Sequence, residues 1–98
     1  MSQHGPVERA FAERLAVEAL AWMARQEGVL DAFLAASGAE ASDLRAAAAD
    51  PAFLVAVLDF LMQDDAWVTG FCDASAIPYD MPHRARQSLP GGGEANWT

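Results

Sequence analysis

Apolar residues recur every three or four positions along nearly the whole chain, and this spacing constrains the fold more than any other feature. The first such stripe contains Val7, Phe11, Leu15, Ala19 and Trp22. Val17, Leu20 and Met23 widen it, so we expect the second half of this helix to be mostly enclosed. The alternating pattern of a β-strand and the turn pairs of a hairpin are absent from the sequence. The pattern therefore predicts an all-α protein.

Residues that start or stop helices divide the pattern into five to six short helices. Asp50-Pro51 is the clearest start signal, because an aspartate cap followed by proline at the first helical position favours a helix. Asp64 or Asp65 is expected to cap the next helix, and Asp80 the last one. The expected helices cover about 6–26, 29–37, 43–49 and 51–62, then a fifth that contains residues 66–72, and a last one at about 81–89. They predict a compact orthogonal bundle.

A weak internal repeat is found when the chain is aligned with itself at an offset of 38 residues. Matched positions include Leu20 with Leu58, Met23 with Leu61, Phe33 with Phe71, and Gly38 with Ala76. We interpret the chain as one domain, residues 6–89, made of two related three-helix units at about 6–49 and 50–89. Residues 1–5 and 90–98 are expected to be flexible tails, because Pro90 and three glycines break any helix there.

Charge limits the classes of partner. The formal net charge is −8, and all six basic residues are arginine, so the chain repels phosphate backbones and is not expected to bind nucleic acid. The most apolar run, 53–62, is about half the length of a membrane span and contains Asp59, so we expect no membrane insertion. A single cysteine and the lack of a secretory signal before Pro6 indicate a cytoplasmic protein.

Four segments together resemble a known family. They are Leu15–Trp22, Asp43–Ala48, Pro51–Leu61, and the Arg84-x-Arg86 motif with its following Leu89–Gly92. The chain is similar over nearly its whole length to the small, all-helical, alphaproteobacterial domain-of-unknown-function family 3572. The resemblance implies a bacterial cytoplasmic protein. That family has no established activity, so the resemblance assigns no catalytic or ligand residue.

Two acidic residues interrupt the most apolar stretches of the sequence. Glu18 and Asp59 are predicted to be buried polar residues, since both lie among core positions, and Arg45 is predicted to be buried with them. Arg14 lies one turn before Glu18, and Arg45 could reach either acid from the third helix, so we expect ion pairs that fix how the units dock. The alternative is a pair of carboxylates for acid–base chemistry, which has no histidine nearby in the sequence.

Candidate interaction residues lie in the second half of the chain. Trp22 and Trp67 fall on core stripes, although Trp67 could also lie at an interface, where tryptophan is enriched. Trp97 could be a short docking element in the tail. Arg84 and Arg86 could contact an acidic partner, although arginine near a helix end also stabilises the helix dipole.

The residue types favour binding over chemistry. Cys72 is expected to be a buried small side chain, and no spacing of histidine, cysteine and carboxylates suggests a metal or cofactor. We therefore predict a non-enzymatic protein-interaction or regulatory adaptor domain, which binds a protein partner or itself through an apolar groove between the two units. The alternatives are a small-ligand-binding helical domain or, less favoured, an enzyme that uses Glu18 and Asp59.

Overall fold

The computed structural model describes residues 7–89, and the regular secondary structure in that range is entirely helical. The helices are α1 (Arg9–Arg25), α2 (Val29–Ser37), α3 (Leu44–Ala47), α4 (Pro51–Leu61), α5 (Asp65–Ser75) and α6 (Met81–Gln87). A single 3₁₀ turn, Ala41–Asp43, leads into α3. The predicted all-α bundle of short helices is thus confirmed. The predicted tails, 1–5 and 90–98, lie outside the described residues.

Local capping chemistry starts the second half of the fold. The Asp50 carboxylate accepts a hydrogen bond of 3.0 Å from the backbone N–H of Ala52, and the Asp64 carboxylate accepts one of 2.8 Å from that of Ala66. Both bonds satisfy amide groups that have no partner inside the helix. Asp80 precedes α6 as expected, but its side chain makes no capping hydrogen bond, because its backbone is already helical there.

Helix α1 is the centre of the core and packs against α2, α4 and α6. It is the longest helix of the described chain, at 17 residues, and its alanines at 12, 16 and 19 are fully buried. Small side chains at these positions allow neighbouring helices to approach closely. Helix α4 contributes a second buried face, formed by Leu54, Val57, Leu58 and Leu61. Helices α1 and α4 therefore hold most of the apolar core between them.

A close contact fixes α5 on this core. A Cβ atom added to Gly70 would lie only 2.9 Å from Cζ2 of Trp22, so this helical position has no room for a side chain. Trp22 is 7% exposed and meets Phe71 edge to face at 6.2 Å between ring centroids. Its predicted core position is therefore confirmed. The close approach explains why a glycine lies within α5, where it costs about 1 kcal/mol relative to alanine.

The two halves of the chain share a backbone feature at positions that the predicted repeat matches. Gly38 and Ala76, matched at the offset of 38, both follow the second helix of their half, and both have left-handed backbone with φ of 78° and 57°. Phe33 and Phe71, also matched, are both buried. The third helices differ, since α6 packs on α1 and α4 whereas α3 mainly contacts the turn before it. The division into two related units stays a prediction.

Candidate functional site

An open cleft lies between the first half of α1 and the junction of α3 with α4. Its volume is about 530 Å³, and its lining is mostly apolar. The lining residues are Ala10, Glu13, Arg14, Val17, Glu18, Ala48, Ala49 and Leu54. We call this feature the α1 cleft. Val17 is 41% exposed on its α1 wall, which contradicts the prediction that Val17 widens the core stripe. The sequence analysis predicted an apolar groove between the two units, whereas this cleft is lined by residues of the first unit except for Leu54. It is open because α3 is too short to cover this part of α1.

The charged residues of the α1 cleft do not neutralise one another. Glu13 accepts a hydrogen bond of 3.2 Å from Nε of Arg9, outside the cleft. The Arg14 guanidinium lies over the Phe11 ring, 5.9 Å from its centroid. Glu18 makes no ion pair or hydrogen bond within residues 7–89, although Arg14 is one turn away.

The predicted burial of Glu18, Asp59 and Arg45 is wrong. All three side chains are exposed, and no charged residue of the described chain is buried. Both acids lie on the outer face of a helix whose opposite face packs in the core, so their apolar neighbours in sequence do not enclose them. Arg45 pairs with neither acid, since α3 has four residues and none is buried.

Asp59 is instead held by α6. Its carboxylate accepts two hydrogen bonds from Arg86, at 2.8 Å from Nε to Oδ1 and 3.1 Å from Nη2 to Oδ2. The hydrogen bond to Asp59 raises the pKa of Arg86, which keeps the guanidinium charged. This bidentate pair could not be predicted from the sequence, because 27 residues separate its members.

Glu18 and Asp59 lie in different clefts. Asp59 lines a second, smaller cleft of about 210 Å³ between α2 and α4, together with Phe33 and Phe60. The α1 cleft contains Glu18 but not Asp59. The two carboxylates therefore do not form the pair that acid–base chemistry on one substrate would need.

Trp67 joins a chain of aromatic rings rather than standing free. It stacks on Phe60 with 5.2 Å between centroids, and Phe60 in turn meets Phe33 edge to face at 5.3 Å. The indole is only partly buried, so one side remains available to solvent. Its role in binding stays a prediction, and Trp97 lies outside the described residues.

The arginines of α6 are engaged within the fold. Nη1 of Arg84 lies 4.0 Å from the Asp80 carboxylate, and its side chain is 18% exposed. Arg86 is paired with Asp59 as described above. Both belong to the last turn of α6, where positive charge stabilises the helix dipole. A contact of either arginine with an acidic partner stays a prediction.

The nucleophilic and metal-ligating residues form no site within residues 7–89. Cys72 is buried, and burial, followed by the charges of Asp73 and Asp80, raises the pKa of its thiol. Such a thiol is protonated and unreactive at neutral pH. No group of three or more histidine, cysteine, aspartate or glutamate side chains in this range could hold a metal ion. Among the described helices, none combines the length and apolar character needed to span a bilayer.

Comparison with known protein families found a match. The family model described as "Protein of unknown function (DUF3572)" matches residues 9–92, which is most of the chain. The curated proteins contain no significant match. The solved structures contain none either.

Proposed function

The chain belongs to the DUF3572 family of proteins of unknown function, and from its cleft we propose that it is a non-enzymatic protein-interaction domain. In this role it acts as a helical adaptor or regulator and binds a protein through the α1 cleft. The single observation that carries the proposal is the open apolar lining of that cleft, with Val17 at 41% exposure. Concave apolar surfaces on small helical domains commonly receive an amphipathic helix from a partner.

The predicted duplication supplies a physical reason for the cleft. If α3 corresponds to α6, it should cover α1 and α4 as α6 does, but it has four residues where α6 has seven. The shortened helix leaves Val17 and Leu54 beside an unfilled space. Since exposed apolar surface costs free energy, burying it against a partner would stabilise the complex.

A small-ligand role is the second candidate, because the volume of the α1 cleft falls within the range of ligand sites, about 300–1,000 Å³. The cleft is open, however, and the Arg14 and Glu18 side chains that line it are exposed. Ligand sites usually enclose most of the ligand and offer a few aimed polar groups. The geometry thus favours a macromolecular partner.

We also infer a cytoplasmic location, because the chain has one cysteine and it is a free thiol.

The test is capture of partners from a lysate of the source organism, using full-length protein with an N-terminal tag. The wild type is compared with Val17→Asp, which places a charge in the α1 cleft, and with Ala32→Asp on the exposed face of α2 as the matched control. We expect a protein identified by mass spectrometry that is lost with Val17→Asp and kept with Ala32→Asp. Its direct binding is then measured by calorimetry with purified components.

Circular dichroism must show that both variants fold like the wild type. If the captured protein still binds the Val17→Asp variant, the interaction surface lies outside the α1 cleft. Lack of any specific partner, together with saturable binding of a metabolite, would favour the small-ligand role instead.

A further inference from the structure

The α1 cleft contains two charges of opposite sign, Arg14 and Glu18, that form no ion pair within residues 7–89, although Arg14 also lies over the Phe11 ring. Both side chains are exposed and flank Val17. Charges without an ion-pair partner around an apolar centre indicate which charges a complementary surface should carry. The complementary surface should carry an apolar centre with one acid and one base beside it.

The same face of a second molecule meets this requirement. In an isologous dimer each contact occurs twice, so residue i of one copy meets residue j of the other and the reverse. Two α1 helices that run antiparallel, with the twofold axis near residue 16, bring Arg14 level with Glu18 of the partner subunit. On a helix, residues four apart lie on one face, so both ion pairs can form beside the same apolar contact.

We propose that the occupant of the α1 cleft is a second copy of this chain, bound through antiparallel α1 helices with reciprocal Arg14–Glu18 ion pairs. This inference rests on the proposed function, because it names the partner of the same site. Ala10, Ala48 and Ala49 line the cleft with small side chains, which permit a partner helix to approach closely. The exposed Val17 supplies the apolar contact at the centre.

Charge decides between a second copy and an unrelated basic helix. The net charge of −8 would attract a basic partner and opposes self-association. The cleft lining nevertheless contains Arg14 as well as two acids, and an array of lysines would meet that cation. A copy of the same face instead matches both signs. Because net repulsion opposes it, the dimer is expected to be reversible and to form with rising protein concentration.

The experiment is a charge-reversal cycle on the full-length protein, followed by analytical ultracentrifugation over a range of concentrations up to about 1 mM. The variants are Arg14→Glu, Glu18→Arg and the double variant that carries both changes. Each single change opposes two like charges across the interface and should raise the dimer dissociation constant about tenfold or more. The double variant restores opposite charges and should return the constant close to the wild-type value.

Two further variants test where the contact lies. Val17→Asp should abolish the dimer, and Ala32→Asp on α2 should leave it unchanged. All these positions are exposed, so circular dichroism should show unaltered folding.

A wild type that stays monomeric throughout overturns the proposal, as does a dimer that the single reversals leave unchanged. A double variant as weak as the single variants overturns it too. These results are separable from failure of the proposed function. A monomer whose captured partner depends on Val17 would keep the interaction domain and replace only the second copy.

Discussion

At the scale of single residues, Ala76 carries a conformational cost that the fold imposes. It is the only non-glycine residue with positive φ among residues 7–89, and that backbone costs an L-residue about 1–2 kcal/mol. The turn is held because the Ile77 N–H donates to the Cys72 carbonyl at 3.0 Å, while the Ile77 side chain packs on the core. Such a turn normally has glycine at the left-handed position, as Gly38 shows in the first half.

Replacing Ala76 by glycine should therefore stabilise the protein. We expect Ala76→Gly to raise the free energy of unfolding by about 1 kcal/mol, because the relief of strain exceeds the added freedom of the unfolded chain. Gly38→Ala is the matched control. No atom lies within 4 Å of a Cβ built there, so its effect reports the backbone alone and should be a loss. Urea unfolding measures the change in stability of both variants. If Ala76→Gly is less stable than the wild type, the backbone of Ala76 is not strained.

The buried Cys72 thiol predicts how the stability of the protein depends on pH. Its pKa is raised from 9.0, chiefly by burial, so the folded state holds the thiol proton more tightly than the unfolded state does. The stability that this provides is complete below pH 9.0 and is lost as the pH rises above it. We expect the wild type to lose more stability than Cys72→Ala between pH 8 and pH 10. At pH 8, a thiol reagent should also react with the folded protein far more slowly than with the urea-unfolded chain.

At the scale of helices, the Asp59–Arg86 pair fastens α6 to α4. The two side chains are 47% and 24% exposed, so solvent screens much of their attraction. We expect Asp59→Asn or Arg86→Met to lower the free energy of unfolding by about 0.5–1 kcal/mol each. The double variant should cost little more than either single change, because they remove the same pair. Urea unfolding of the four proteins measures the coupling, and strictly additive losses would show that the pair contributes nothing.

The helix starts could be predicted from the sequence because capping is local. Asp50 lies beside the Ala52 amide group that it caps, and Pro51 occupies the first helical position, where no N–H donor is needed. Their residue types alone therefore indicate where α4 begins. The Asp59–Arg86 pair could not be predicted, because only the packing of α6 brings the two residues together. Val17 was misplaced for a similar reason. Whether a given face of α1 is covered depends on the length of α3, which helical spacing does not encode.

At the scale of the whole molecule, the net negative charge destabilises the folded state. The chain carries −8, and folding brings those charges closer together. Raising the ionic strength from about 0.01 M to about 0.15 M shortens the Debye length from roughly 30 Å to 8 Å. We expect the midpoint of urea unfolding to rise over this range, with sodium and choline chloride giving the same result. A fall would show that attractive ion pairs outweigh the net repulsion.

The short α3 helix has a consequence for how the α1 cleft could change its width. One wall, α1, contributes seven buried residues and belongs to the centre of the core, whereas α3 and the turn before it contribute none. Backbone with few buried contacts opens at low free energy, so amides 41–49 should exchange with deuterium much faster than those of α1. An occupant of the cleft would then slow exchange mainly on the α3 side. The α1 cleft thus has a rigid wall on the α1 side and a more easily displaced wall on the α3 side.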